Sequence, residues 1–290
     1  MARIVTTAPQ RVTASRAFDG EQATFRHDSE ATQSPMRFGV YLPPQAQHAR
    51  VPAVFWLSGL TCTEENFIAK AGAQRVASEL GLALVVPDTS PRGLDLPGDR
   101  DAWDFGEGAG FYVDATVAPW SANYRMYSYV SAELPRLVAA HFPIDASRLA
   151  ICGHSMGGHG ALVIALRNPQ TFRSVSALAP IASSMRCPWG EKALAGYLGA
   201  DRAAWRAYDA TALIEDRRWA GPPIVVDQGA ADPFLSRELK PEMLEAACAA
   251  SGVPLELARR EGYDHGYFFV ATFIEAHLRR HCQNLAGAST

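Results

Sequence analysis

The sequence predicts an α/β fold: a mostly parallel central sheet with helices on both faces and an antiparallel edge at its amino-terminal side. Three observations lead there. From Val51 onward, short apolar runs close on turn residues (VPAVFWLSG, LALVVPDTS, RLAICG, SVSALAP, PPIVVDQG and PLELARREG), which is how strands buried on both faces read. Helical stretches lie between many of these runs. Before Val51, ATFRHDS and PMRFGVYLPP partly alternate apolar with polar residues and end in turns, as antiparallel edge strands do.

Taken in order, the two edge strands lead into VPAVFWLSG, followed by the helical stretch ENFIAKAGAQRVASELG, which Gly81 stops. LALVVPDTS is the next strand, and YRMYSYVSAELPRLVAAHF the next helix. RLAICG then runs into GGHGALVIALRNP, a strand followed at once by a helix. After SVSALAP and PPIVVDQG comes the helix SRELKPEMLEAACAASG, stopped by Gly252, then the strand PLELARREG and a final helix FFVATFIEAHLRRHCQNL. No repeat or low-complexity linker interrupts the series, so residues 1–290 are expected to form one domain.

Bulk properties narrow the function. A 48% hydrophobic and 20% charged composition is that of a folded chain with a sizeable core. A net charge of -3 offers no basic excess for a phosphate backbone, so no nucleic-acid partner is expected. No apolar run approaches the roughly 20 residues that cross a bilayer, so no membrane partner is expected either. MARIVTTAPQRVTA lacks the apolar block of a secretory signal, and a cytoplasmic location is expected. The five cysteines are odd in number and never in a C-x-x-C pair, which argues against a disulfide framework or a zinc site; no metal is expected.

In such a sheet, chemistry belongs in the loops after the strands. GHSMG, residues 153–157, fits: the RLAIC strand turns into a helix around Ser155, so the hydroxyl projects from the sheet and the amides that follow face a developing negative charge. A serine needs a base. Of eight histidines, His154 and His159 flank the turn and read as packing or helix-surface residues. His277 and His281 share a face of the last helix without a carboxylate nearby and read as surface residues, while His27, His48 and His141 sit in polar or capping contexts. His265, in the loop between the last strand and the last helix, is the expected base.

The loop after PPIVV offers Asp227 and Asp232 as the acid. Asp232 is preferred because it lies far enough out to fold back on the imidazole; Asp227 reads as a turn cap, and Asp264 as a loop-ordering residue. Ser, acid, His is the α/β-hydrolase order. The oxyanion hole would combine the Met156 amide with that of Leu60 or Thr61 in the turn that Gly59 allows.

Longer stretches carry a more specific signal: WLSGLTCTEENFIAKAGAQRVASELGLALVVPDTSPRG, WDFGEGAGFYVDAT, PWSANYRMYSYVSAELP, GHSMGGHGALVIALRNP, AYDATAL, DQGAADPFL and EGYDHGYFFVATFI. Together they resemble the S-formylglutathione hydrolase (esterase D) family of the α/β-hydrolase superfamily. Residues 1–20 match weakly. The resemblance implies Ser155, Asp232 and His265 as nucleophile, acid and base, the Leu60 and Met156 amides as the oxyanion hole, and no cofactor. It implies hydrolysis of a small-molecule glutathione thioester, S-formylglutathione, to glutathione and formate in formaldehyde detoxification. Family members are often homodimers, although no feature here marks an interface.

Pro233 departs from the family, which more often has glutamine beside the acid, and a shifted Asp232 backbone is the expectation. Walls that admit only a formyl group are sought among Trp103, Phe105, Phe111, Tyr112, Trp120 and Trp189, with Trp189 foremost; the alternative for each is the core. Lys70 or Arg125 would meet the glutathione carboxylates. Cys62 lies two residues past Leu60, and the resemblance implies thiol sensitivity there; an inert small residue is the alternative. A general carboxylesterase or acyltransferase could use the same three residues, and a hydrolase that had lost its chemistry would bind only.

Overall fold

The computed structural model describes residues 8–216 and 219–286. One nine-stranded sheet runs in the order β1-β2-β3-β5-β4-β6-β7-β8-β9. Its edge is antiparallel: β1 (Gln10–Ala17), β2 (Gly20–Ser29) and β3 (Ser34–Leu42) form a meander, and β3 pairs antiparallel with β5 (Ala83–Pro87). The remainder is parallel, through β4 (Val51–Leu57), β6 (Ile144–His154), β7 (Phe172–Leu178), β8 (Ile224–Gly229) and β9 (Leu255–Arg260). Part of the weakly matching amino-terminal stretch is thus the outermost strand, β1, laid along β2.

From β4 the chain moves outward to β5, then returns to the other side of β4 with β6. The loops after β4 and β6 therefore diverge at a switch point, where open α/β sheets hold their ligands. Helices cover both faces. The first predicted helix is two, α1 (Glu64–Lys70) and α2 (Ala73–Leu80), broken at Gly72 in the left-handed region; Gly81 closes α2 at φ 66°. α3 (Met126–Ser128) and α4 (Leu134–His141) are joined through a π turn at Tyr129–Glu133.

α5 (Met156–Arg167) follows β6 without a linker. Between β7 and β8 the fold inserts α6 (Pro188–Leu198), α7 (Arg202–Trp205) and α8 (Ala210–Asp216), which no periodicity announced. α9 (Pro241–Ser251) and α10 (Tyr267–Ala286) complete the chain. Among the described residues no helix is long and apolar enough to cross a membrane.

The histidines of α10 overturn the surface reading. His277 and His281 are buried against the sheet: His277 bonds Asp227 Oδ2 at 2.9 Å and Ser176 Oγ at 2.7 Å, and His281 bridges Ser174 and Ser176 at 2.8 Å each. The carboxylate that His277 meets is not Glu275 of its own helix, which pairs with Arg75 and Arg279, but Asp227 of β8. Asp227 is correspondingly no turn cap, since Arg260 also donates to it at 2.6 Å. His27, assigned to a polar context, is likewise buried, bonding the Tyr129 hydroxyl at 3.1 Å.

Burial lowers the pKa of His27, of His159 to about 4 and of His281 to about 3, from an ordinary 6.5. Above pH 6.5 these groups are neutral in both states. Below it the unfolded chain takes up protons the native state refuses, so stability falls with acidification toward pH 3. From His281 alone the loss is roughly 2–3 kcal/mol by pH 4.5. Urea midpoints measured between pH 7.5 and 4.5 should fall steadily below 6.5; a flat series would contradict this.

Candidate active site

Ser155 sits at the β6–α5 junction with φ 58° and ψ −123°, a strained conformation for a residue with a Cβ. Its amide donates to Leu178 O at 3.0 Å, pinning the turn to β7. The flanking glycines serve a different need from positive φ. A Cβ on Gly153 would lie 2.2 Å from Gly157 O, and one on Gly157 would lie 2.0 Å from Leu57 O. They let the start of α5 press against the ends of β4 and β6.

The loop after β4 rests on the serine, since a Cβ on Gly59 would be 3.1 Å from Ser155 Cβ. Thr61, at φ 68°, donates its amide to Gly108 O at 2.9 Å. Among the described residues, the amides of Leu60 and Met156 donate to no protein acceptor. Of the two loop donors considered, Leu60 is the one left for a ligand.

Asp232 and His265 are brought together from consecutive strand-end loops, with His265 Nδ1 2.6 Å from Asp232 Oδ2. The carboxylate is buried, and its other oxygen accepts the Phe234 amide at 2.8 Å. Pro233 therefore leaves Asp232 on the imidazole. The two loops are laced by Ala230 N to Arg260 O at 2.9 Å and Ala231 N to Tyr263 O at 3.0 Å. Asp264 orders its loop by accepting the Gly266 amide at 2.8 Å.

The His265 ring packs against Phe234, with centroids 5.1 Å apart, and against His154, 4.5 Å apart. Phe234 continues to Trp189 at 4.8 Å, and Trp189 to Trp103 at 5.5 Å. A line of aromatic rings thus runs from His265 to the surface, where Trp103 is 57% exposed. Sequence reasoning missed Phe234; its position two residues past Asp232 was the available signal.

Other wall candidates belong to the interior. Phe111 and Tyr112 are buried, and the Tyr112 hydroxyl donates to Ser58 O at 2.9 Å. Phe105 and Trp120 pack with Tyr197 in a separate aromatic cluster.

Cys62 is partly buried, and burial pushes its thiol above the ordinary range, which lowers the thiolate population that reacts. Its carbonyl accepts from Thr89 and Arg92. Lys70 lies over the Tyr267 ring at 5.6 Å, beside this loop. Arg125 pairs with Asp114 at 3.8 Å and lines a cavity with Glu30, Glu133 and Arg136 that none of the Ser155 loops enters. Among the described residues no cluster of His, Cys, Asp or Glu is arranged to hold a metal ion.

Residues 29–280 match the family described as "Putative esterase". The chain is 54% identical over 279 residues to the S-formylglutathione hydrolase of Mus musculus, covering 96% of this chain and 99% of the mouse protein. It is 50% identical over 281 residues to that of Paracoccus denitrificans, covering 97% and 100%. A solved S-formylglutathione hydrolase from Agrobacterium tumefaciens superposes with a TM-score of 0.93 at 51% identity, covering 95% of this chain and 99% of that one. The sheet and a strained serine at the turn into α5 define an esterase of α/β-hydrolase architecture. Within that class, the chain belongs to the S-formylglutathione hydrolase family.

Proposed function

We propose that this protein hydrolyses S-formylglutathione to glutathione and formate, with Ser155 as nucleophile, His265 as base and Asp232 as the acid that holds it. What carries the reading is identity of half or more, over nearly the whole chain, to relatives bearing that activity in their names. The hydrogen bond between His265 and Asp232, the strained serine and the packing of its neighbour His154 on His265 support the assignment of roles.

His265 takes the Ser155 proton as the hydroxyl oxygen attacks the formyl carbonyl, and the Leu60 and Met156 amides receive the oxyanion. Asp232, on Nδ1, fixes the tautomer that leaves Nε2 free to take the proton, and stabilises the imidazolium. Glutathione leaves as a thiolate; a thiol pKa of about 8.5 makes general-acid help a minor need. Water activated by His265 then releases formate from the formyl-serine.

The test is kcat/KM on S-formylglutathione against p-nitrophenyl esters from acetate upward, with Ser155→Ala as control. A strong preference for the formyl thioester, lost in the variant, is expected. Equal or better cleavage of short esters would instead make the protein a general carboxylesterase.

Trp189 is the proposed wall of the acyl site, with Phe234 and Trp103 on either side of it. Trp189→Ala should raise kcat/KM for a butyryl relative to an acetyl ester by about 10-fold or more, since a methylene in a pocket is worth roughly 10- to 200-fold. An unchanged chain-length profile would remove Trp189 from the site. The proposed location is the cytoplasm, where free cysteines such as Cys152 and Cys187 stay reduced. The proposed assembly is a homodimer, which light scattering would read directly.

A further inference from the structure

We infer that His154 is a positioning residue for the base: a buried imidazole whose ring backs His265 and whose dipole steadies the charge His265 acquires on taking the Ser155 proton. The inference rests on the assignment of His265 as base.

His154 is wedged among three parts of the site. It immediately precedes Ser155 in the chain, its ring centroid lies 4.5 Å from that of His265 with the planes at 42°, and its Nδ1 would be 3.6 Å from a Cβ on Gly59. Tyr267 closes a further side at 6.1 Å. The side chain is 5% exposed, and its Nε2 is buried with no hydrogen-bond partner. A phenylalanine would occupy similar space without orphaning a polar atom, so packing does not explain an imidazole here.

Burial, reinforced by the neighbouring His265, holds the His154 pKa well below 6.5. At neutral pH it therefore sets no repelling charge beside His265, while its buried dipole, which a phenylalanine would lack, acts on the neighbouring ring with little solvent to screen it. The His265 cation would form between the Asp232 carboxylate on Nδ1 and the His154 ring. Other titratable or charged groups nearby are Asp264, adjacent in the His265 loop, and Tyr267 of α10, against which Cys62 and Lys70 lie.

His154→Phe and His154→Gln test the inference. On a Ser155→Ala background, an NMR titration of the His265 Cε1 proton should show proton affinity about 3- to 10-fold lower in His154→Phe, which keeps a ring against His265 and removes only the imidazole dipole, an effect about the size of one buried hydrogen bond. His154→Gln, which restores a dipole, should recover part of it. With Ser155 intact, kcat should fall by a similar factor with KM within about twofold, and the acid limb of the pH profile should move down together with the NMR midpoint.

Unchanged titration would reduce His154 to packing, and a change in KM alone would make it a substrate contact; either overturns the inference. Should the phenylalanine variant fail to fold, the glutamine variant decides by the same readouts. The NMR shift stands or falls without turnover, whereas activity surviving His265→Ala would overturn the base assignment itself.

Discussion

Ser155→Ala is expected to lower kcat on S-formylglutathione by about 10⁴-fold or more while leaving the fold intact, as losses of a triad nucleophile do. The strain at φ 58° belongs to the backbone, and alanine keeps the Cβ that causes it. The amide bond to Leu178 and the contact of the Gly59 loop are also retained, so the urea midpoint should stay near that of the parent. Loss of turnover with unchanged stability would mark Ser155 as the reacting atom's carrier. Residual activity above about a hundredth of the parent would place the nucleophile elsewhere. His265→Ala should show a comparable loss, and the double variant little more, because residues acting as one unit are not additive.

Gly157→Ala should cost more stability than any other single methyl group added at the site. The new Cβ would stand 2.0 Å from Leu57 O and 2.6 Å from Ser58 O, both backbone atoms that no rotamer change can move. Relief requires α5 to withdraw from the end of β4, opening the core at Leu57 and disturbing the turn that holds Ser155. A loss above about 4 kcal/mol is expected, in the range reserved for forced backbone shifts and broken cores. Gly252→Ala provides the contrast: nothing lies within 4 Å of its Cβ, and only the left-handed conformation at φ 68° is penalised, by about 1 kcal/mol. Denaturant unfolding of both separates the two causes; a Gly157→Ala midpoint near that of Gly252→Ala would refute the contact argument.

Much of the site was legible before the fold. Ser155, Asp232 and His265 each follow a short apolar run closed by turn residues, and in a parallel sheet the ends of such runs gather along one rim. Chain order therefore sufficed to nominate them, and the SGLTCT turn nominated Leu60 or Thr61. What these positions share is that local pattern specifies strand ends, and parallel pairing converts strand ends into neighbours.

The rest depended on partners distant in the chain. His277 and His281 lie on a helix whose own sequence shows no acid for them, and their environment is made by Ser174, Ser176 and Asp227 from β7 and β8. The choice between Leu60 and Thr61 turned on Gly108, and the line of rings from His265 through Phe234 to Trp103 joins three separate loops. The sequence by itself determined the class of sheet and the order in which candidate groups leave its strands, because those follow from local periodicity and turns. Only the tertiary structure decided which polar groups are desolvated and which amides stay free, because burial and hydrogen bonding are set by neighbours that the chain brings together from afar.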